Sequence, residues 1–251
     1  MRLLHITDLH LCADPAARLH GWNVEQAFTR VLDDALARYP DYDGLVLGGD
    51  LVDDESAAGY ARLNKRLSAL DRPVLAMAGN HDDPDLMSRL LTSAQVHRSI
   101  TIAGYRLYAL DSHQQNSEAG RVSGEALGWL DHDLRADTTS ALIFIHHPPV
   151  VVKSAWLDAI GLENADELIA CLSAHPHVQA VVCGHVHQAV ETGLGQIQCW
   201  STPSTMRQFL PAAATFAEDS RRFPGYRLIE TGSDGTLSTT VVRVPTASVC
   251  G

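Results

Sequence analysis

Short runs of consecutive apolar residues alternate with longer stretches in which apolar residues return every three or four positions, and this alternation predicts strands and helices in turn. Leu3 to Thr7 is predicted as a buried strand. Val24 to Ala37, with Val24, Ala27, Phe28, Val31, Leu32 and Ala35 on one face, is predicted as an amphipathic helix. Leu45 to Leu47 follows as a strand, Ala57 to Leu70 as a helix, and Pro73 to Ala78 as a strand after the turn Asp71-Arg72-Pro73. Residues 84–92 read as a short helix, and Ser99 to Ile102 with Tyr105 to Leu110 as a hairpin turned at Ala103-Gly104. Gly124 to Arg135 and Asn164 to Ala174 are predicted helices; Ala141 to Ile145 and Val178 to Cys183 are predicted strands. Beyond about residue 188 the pattern becomes a β meander of Val190 to Thr192, Gln196 to Trp200, Tyr226 to Glu230 and Ser238 to Val244, expected to form one antiparallel sheet half.

Alternating strands and helices followed by strands imply an α/β fold: a four-layer α/β/β/α sandwich of two mixed sheets flanked by helices. Residues 1–251 are read as a single domain that includes the meander at about 188–245, with no internal repeat or low-complexity segment. Ligands in open α/β sheets collect beyond the carboxyl ends of strands. Asp8 and His10, Asp50, Asn80 and His81, His146, and His185 and His187 each fall just after the last apolar residue of a predicted strand, so all can meet on one edge. The irregular stretches 151–163 and 202–224 are the longest and are expected to shape a pocket beside that edge.

The chain has 251 residues, 45% hydrophobic and 20% charged, enough to bury a substantial core. Its formal net charge of −11 argues against a nucleic-acid polymer as substrate, because no cluster of Lys and Arg is present to meet a phosphate backbone. A small anionic substrate stays compatible, since two divalent cations add about four positive charges at one point. No run approaches the roughly 18 apolar residues of a membrane span, and Met1 to His5 leads into the first fragment without a secretory leader, so a cytoplasmic location without a membrane partner is expected. The five cysteines, Cys12, Cys171, Cys183, Cys199 and Cys250, lack paired spacing and are expected as free thiols, Cys183 in a strand core and Cys12 near the first metal fragment.

Hard divalent metals take carboxylate and imidazole ligands, and a pair about 3.5 to 4 Å apart calls for a bridging carboxylate, for which Asp50 is the candidate. Asp8 and His10 stand two residues apart, as do His185 and His187, and each pair would face one side if the chain left its strand extended. Asn80 would add a neutral amide oxygen. His5, His20, His97, His113, His132, His175 and His177 are read as ordinary core or surface histidines, and His147 as a structural neighbour of His146. Asp53 and Asp54 are read as the solvated start of a helix.

Taken in order, Asp8-Leu9-His10, Gly49-Asp50 with Asp53, Gly79-Asn80-His81-Asp82, His146 and Gly184-His185-Val186-His187 give the chain a complete resemblance to the calcineurin-like metallophosphoesterase superfamily. The resemblance implies one metal held by Asp8, His10, Asp50 and His187 and a second held by Asp50, Asn80, His146 and His185, with Mn or Fe favoured and Zn admitted. It further implies that a hydroxide bridging the metals attacks phosphorus in line with the leaving group. His81 would not be a ligand but would meet the phosphate, with Asn80 and His187, and protonate the leaving oxygen, while Asp82 would orient His81.

Segments outside these fragments are similar to the bacterial class III 3′,5′-cyclic AMP phosphodiesterases: Asp14-Pro15 through Leu19, Gly21-Trp22-Asn23, Leu110-Asp111-Ser112, Trp156 to Asn164, and Thr202-Pro203-Ser204-Thr205 with Gln208-Phe209. The likeness spans about residues 2–245 and departs at Met206-Arg207, where smaller or apolar residues are usual. It implies hydrolysis of a cyclic nucleotide to the 5′-monophosphate, a homodimer, and Trp156, Asn164 and Phe209 as candidates to hold ribose or base. Two alternatives stand beside it. One is a broad phosphodiesterase acting on glycerophosphodiesters or 2′,3′-cyclic nucleotides. The other is a metal-dead scaffold, against which the unbroken ligand set speaks.

Overall fold

The computed structural model describes residues 1–232 and 235–245, so Cys250 lies outside the described residues. In chain order the elements are β1 (Arg2–Ile6), β2 (Arg18–Leu19), β3 (Trp22–Asn23), α1 (Val24–Arg38), β4 (Gly44–Leu47), α2 (Ala57–Leu67), β5 (Val74–Ala76), α3 (Pro84–Leu90), β6 (Gln95–Val96), β7 (Ser99–Ile102) and β8 (Tyr105–Leu110). There follow α4 (Gly124–Ala136), β9 (Ala141–Ile145), α5 (Ala155–Asp158), α6 (Ala165–Ser173), β10 (Val178–Cys183), β11 (Glu191–Leu194), β12 (Ile197–Ser201), β13 (Gly225–Thr231) and β14 (Leu237–Arg243). One sheet runs β14-β13-β1-β4-β5-β6 and the other β11-β12-β10-β9-β8-β7, each with a parallel centre and an antiparallel edge.

Alternation along each central strand assigns its side chains to layers. On β1, Leu3 faces the second sheet while Leu4 and Ile6 face α1 to α3; on β9, Leu142 and Phe144 face inward while Ile143 and Ile145 meet α4 and α6. The four layers expected from the sequence are therefore present. The helices begin where side chains satisfy their free N–H groups: Asn23, Ser56, Asp83 and Ser123 each accept from the first turn of α1, α2, α3 and α4.

The C-terminal meander is not one sheet half. Hairpin β11–β12 belongs to the second sheet, with β12 parallel to β10, while β13–β14 returns to the first, with β13 antiparallel to β1. The reason is burial on both faces. Trp200 of β12 and Ile229 of β13 fill the space between sheets, while Cys199 packs under the helices of the second sheet and Tyr226 and Leu228 under those of the first. Strands covered on both sides belong inside a sheet, and the segment 202–224 carries the chain between the two.

Arg227, fully buried on β13, ties the sheets together by donating to the Ser201 carbonyl at 3.2 and 2.7 Å, to Glu191 at 3.0 Å and to Thr239 at 2.9 Å. Its cross-strand partner on β1 is His5, whose Nδ1 lies 2.6 Å from Thr202 Oγ1. Burial, helped by the charge of Arg227, pushes the His5 imidazole from 6.5 down to about 3. An unfolded chain takes up this proton near pH 6.5 and the folded one only near 3, so the stabilisation is full above 6.5 and is lost as pH falls. Between pH 7 and 5 the loss amounts to about 2 kcal/mol. Urea denaturation of the His5→Gln variant should show a shallower fall in stability over that interval by about this amount; a fall as steep as wild type would rule His5 out as its source.

Candidate metal centre

Parallel strands β1, β4, β5, β9 and β10 all end at one edge, and the loops that leave them bend sharply. Asp8, His10, Asp50, His185 and His187 have φ of 57°, 51°, 49°, 67° and 47°. The extended exit expected for Asp8-Leu9-His10 and His185-Val186-His187 is thus replaced by left-handed kinks, each costing about 1 kcal/mol for a non-glycine residue. Backbone hydrogen bonds offset that strain: Asp8 N–H donates to Gly49 O at 2.9 Å, and Leu9 and His10 N–H donate to Asp50 O at 2.8 and 2.9 Å. Ser204 and Thr205 hydroxyls close over the same loop, donating to Asp8 O at 2.9 and 3.2 Å. Gly49, at φ 94°, lets the β4 loop pass against the ring of His146, where a Cβ would sit 2.5 Å from Nδ1.

The seven residues proposed as ligands from the sequence are brought together. Asp8, His10 and His187 offer ligand atoms within 4.8 Å of one another, as do Asp8, Asp50 and His146. His187 Nε2 lies 3.2 Å from Asp8 Oδ1, His146 Nε2 lies 3.3 Å from Asp50 Oδ2, and His185 Nδ1 lies 3.0 Å from Asn80 Oδ1. Outward ring nitrogens are tied down: His146 Nδ1 to Gly48 O at 2.8 Å, His187 Nδ1 to Arg207 O at 3.0 Å, and His10 Nδ1 to Asp53 at 2.8 Å. Each of these rings therefore turns Nε2 inward, and the Nε2 atoms of His10 and His187 stand 3.3 Å apart. Among the described residues the buried Nε2 of His185 has no partner, and that of His146 has no hydrogen bond and only the Asp50 carboxylate 3.3 Å away. Such orphaned, inward-facing nitrogens among carboxylates fit two divalent cations.

The electrostatics show the same demand. Burial lowers the His146 imidazole but the Asp50 charge overrides it, leaving it near 9, while burial and His146 push His185 down to about 3. Asp50 is held well below the carboxylate range: burial opposes ionisation, and the imidazoles of His146 and His10 outweigh it.

His81 stands at the mouth, 42% exposed, with Nδ1 3.3 Å from Asp53 Oδ1 and its ring edge-on to His10 at 4.9 Å. Its N–H donates to Asp50 at 3.0 Å. The expected support of His81 by Asp82 is not what the structure contains. The fully buried Asp82 carboxylate accepts from Leu51 N–H at 3.1 Å, Val52 N–H at 3.0 Å, Gly79 N–H at 2.8 Å and Tyr60 Oη at 2.8 Å, so it locks the β4 and β5 loops together. Asp53, read from the sequence as a solvated helix start, is the carboxylate that touches both His10 and His81; its place three residues after Asp50 was the available signal.

Around the centre, His147 is a support, its Nδ1 2.8 Å from Ser112 Oγ and its Nε2 3.1 Å from Glu118 O. Asn164 is no ribose contact: it is buried and exchanges hydrogen bonds with Val122 N–H and C=O at 3.0 and 2.9 Å. Phe209 stacks on His187 at 4.2 Å, with Trp156 and Phe216 packed around it. At the departure from the pattern, Met206 is buried against Cys12, Val24 and Ala27, and the guanidinium of Arg207 lies 5.3 Å from the Phe209 ring.

Two adjoining sets of buried imidazole and carboxylate donors, at the strand ends of a double-sheet sandwich, define the class of dinuclear metallophosphoesterases. The sequence profile of the calcineurin-like phosphoesterase family matches residues 1–189, and the chain belongs to that family. Over 99% of its length it is 35% identical to a 3′,5′-cyclic adenosine monophosphate phosphodiesterase of Vibrio vulnificus, covering 92% of that protein. The Escherichia coli K12 protein of the same name is 33% identical over 97% of the chain and 90% of its own length. In fold it is similar to a dimetal phosphatase from Danio rerio, with a TM-score of 0.63 at 18% identity over 98% of this chain and 99% of that one. A Plasmodium protein described as the anchor in the inner membrane complex shares the fold at a TM-score of 0.64 and 12% identity, covering 100% and 87%.

Replacing Asp82 with Ala strands four buried donors and should cost about 3 kcal/mol of stability. Asp53→Asn should leave stability within about 1 kcal/mol and lower turnover of bis(4-nitrophenyl) phosphate instead. Urea denaturation and steady-state kinetics on both variants decide it; a destabilised Asp53 variant beside a stable Asp82 variant would exchange the two roles.

Proposed function

We propose that residues 1–251 act as one catalytic domain that hydrolyses 3′,5′-cyclic AMP to the 5′-monophosphate. The observation that carries this reading is the near full-length identity of 33–35% to relatives named for that activity, joined to an unbroken set of donors at the strand ends.

In this reading Asp8, His10, Asp50 and His187 hold one metal and Asp50, Asn80, His146 and His185 the other, Asp50 serving both. The mixed oxygen and nitrogen donors suit Mn or Fe and admit Zn. Such a pair supplies Lewis acidity and a strong nucleophile at neutral pH. The protein's own groups do the rest. Asn80, His81 and His187 face the cyclic phosphate and orient it with the 3′ oxygen toward His81. With Nδ1 directed at Asp53, His81 has Nε2 free to hold a proton at the 3′ oxygen, which needs it because an alkoxide is a strongly basic leaving group. The Asp53 carboxylate, kept ionised chiefly by its bond to His10 against the opposing effect of burial, fixes that ring orientation. A cytoplasmic homodimer belongs to the same reading.

Hydrolysis of cyclic AMP, cyclic GMP, 2′,3′-cyclic AMP and a glycerophosphodiester by metal-reconstituted protein, with products identified, should favour cyclic AMP and yield the 5′-monophosphate. A tenfold or greater preference for a non-cyclic diester would overturn the assignment. His81→Ala should lower turnover about 10²- to 10⁴-fold while two metals per chain are retained on elemental analysis; unchanged activity would remove its part as acid.

A further inference from the structure

Beside the metal centre, a cleft of about 660 Å³ opens from Asn80 and His81 between the start of α3 and the loop 113–118. That is room enough for a nucleoside-sized body. Its lining includes Glu55, Asp83, Asp85 and Glu118 and contains no Lys or Arg, an unusual wall for a cleft whose inner end meets phosphate. Asp83 is occupied as the cap of α3, accepting from Asp85 and Leu86 N–H at 2.9 Å. Glu55, Asp85 and Glu118 are exposed and have no ion-pair partner among the described residues. The far wall is held in place from the centre itself, because His147, next to His146, is bonded to Ser112 at one end of the loop and to the Glu118 carbonyl at the other.

We propose that this cleft receives the organic body of the substrate and that Glu55, Asp85 and Glu118 restrict it to diesters whose body carries no further negative charge. The phosphate needs one negative charge to meet the metals. Any second anionic group on the body would lie among unpaired carboxylates with no cation to receive it, and their repulsions add. The centre thus attracts one anionic group while its approach rejects others, which separates small cyclic diesters from nucleotides bearing extra phosphates. The proposal rests on the reading above only for the choice of cyclic probes.

The test is competition against bis(4-nitrophenyl) phosphate hydrolysis by two cyclic AMP derivatives of matched size, 2′-O-butyryl and 2′-O-succinyl, the second carrying one more carboxylate. The wild-type enzyme should bind the succinyl compound at least tenfold more weakly, with the gap narrowing in 0.5 M NaCl. The Glu55→Gln, Asp85→Asn, Glu118→Gln triple variant should close the gap to under threefold while its urea denaturation midpoint and its metal content per chain stay as in wild type. No gap in wild type, or a gap that survives in the triple variant, would overturn the proposal. If cyclic AMP itself is not hydrolysed yet the gap appears and closes as described, the assigned substrate fails and the charge filter stands.

Discussion

The arrangement depends on a crowd of buried groups whose demands for protons compete. Two carboxylates and four imidazoles converge at the strand ends, and the Nε2 atoms of His10 and His187 face each other at 3.3 Å. A proton on His146 is welcomed by Asp50, whereas one on His185 is opposed by burial and by His146. Metal cations resolve the conflict, since each carries two charges and accepts several lone pairs at once. The strained loops, the glycines and the tied-down outer nitrogens all serve to hold this crowd together before a cation arrives.

Much of the architecture serves the same end. Left-handed backbone at Asp8, His10, Asp50, His185 and His187 turns the loops sharply at the residues whose side chains enter the centre. Asp82, anchored by four donors, keeps the β4 and β5 loops in register, so that Asp50 and Asn80 arrive at the same depth. Asp53 joins the buried donors of the centre to its mouth, because one carboxylate touches both His10 and His81.

The layers, the main helices and the clustering of seven donors could be read from the sequence because each rests on local pattern: apolar period for the elements, strand-end position for the donors. Partner choice among strands could not. Gln196 to Trp200 and Tyr226 to Glu230 read as neighbours in a meander, yet both-face burial draws them into different sheets, a fact set by Trp200 and Ile229 meeting residues far away in the chain. The same limit hid the work of Asp82 and Asn164, polar residues whose partners at Leu51, Tyr60 and Val122 lie 22 to 42 positions off. The pairs β2–β3 and β5–β6 include two-residue strands too short for any period to register.

The return of the chain from one sheet to the other also sets the order in which the molecule can become functional during synthesis. The Asp8 carbonyl is held by Ser204 and Thr205, 196 and 197 positions further on, and β1, paired on one side with β4, lacks its other neighbour until Gly225–Thr231 has been made. At ordinary elongation rates the stretch from 204 to 231 alone takes roughly 1 to 5 s. The loop that carries Asp8 and His10 is therefore closed over, and β1 enclosed, only once the segment with Ser204 and Thr205 and strand β13 have been made.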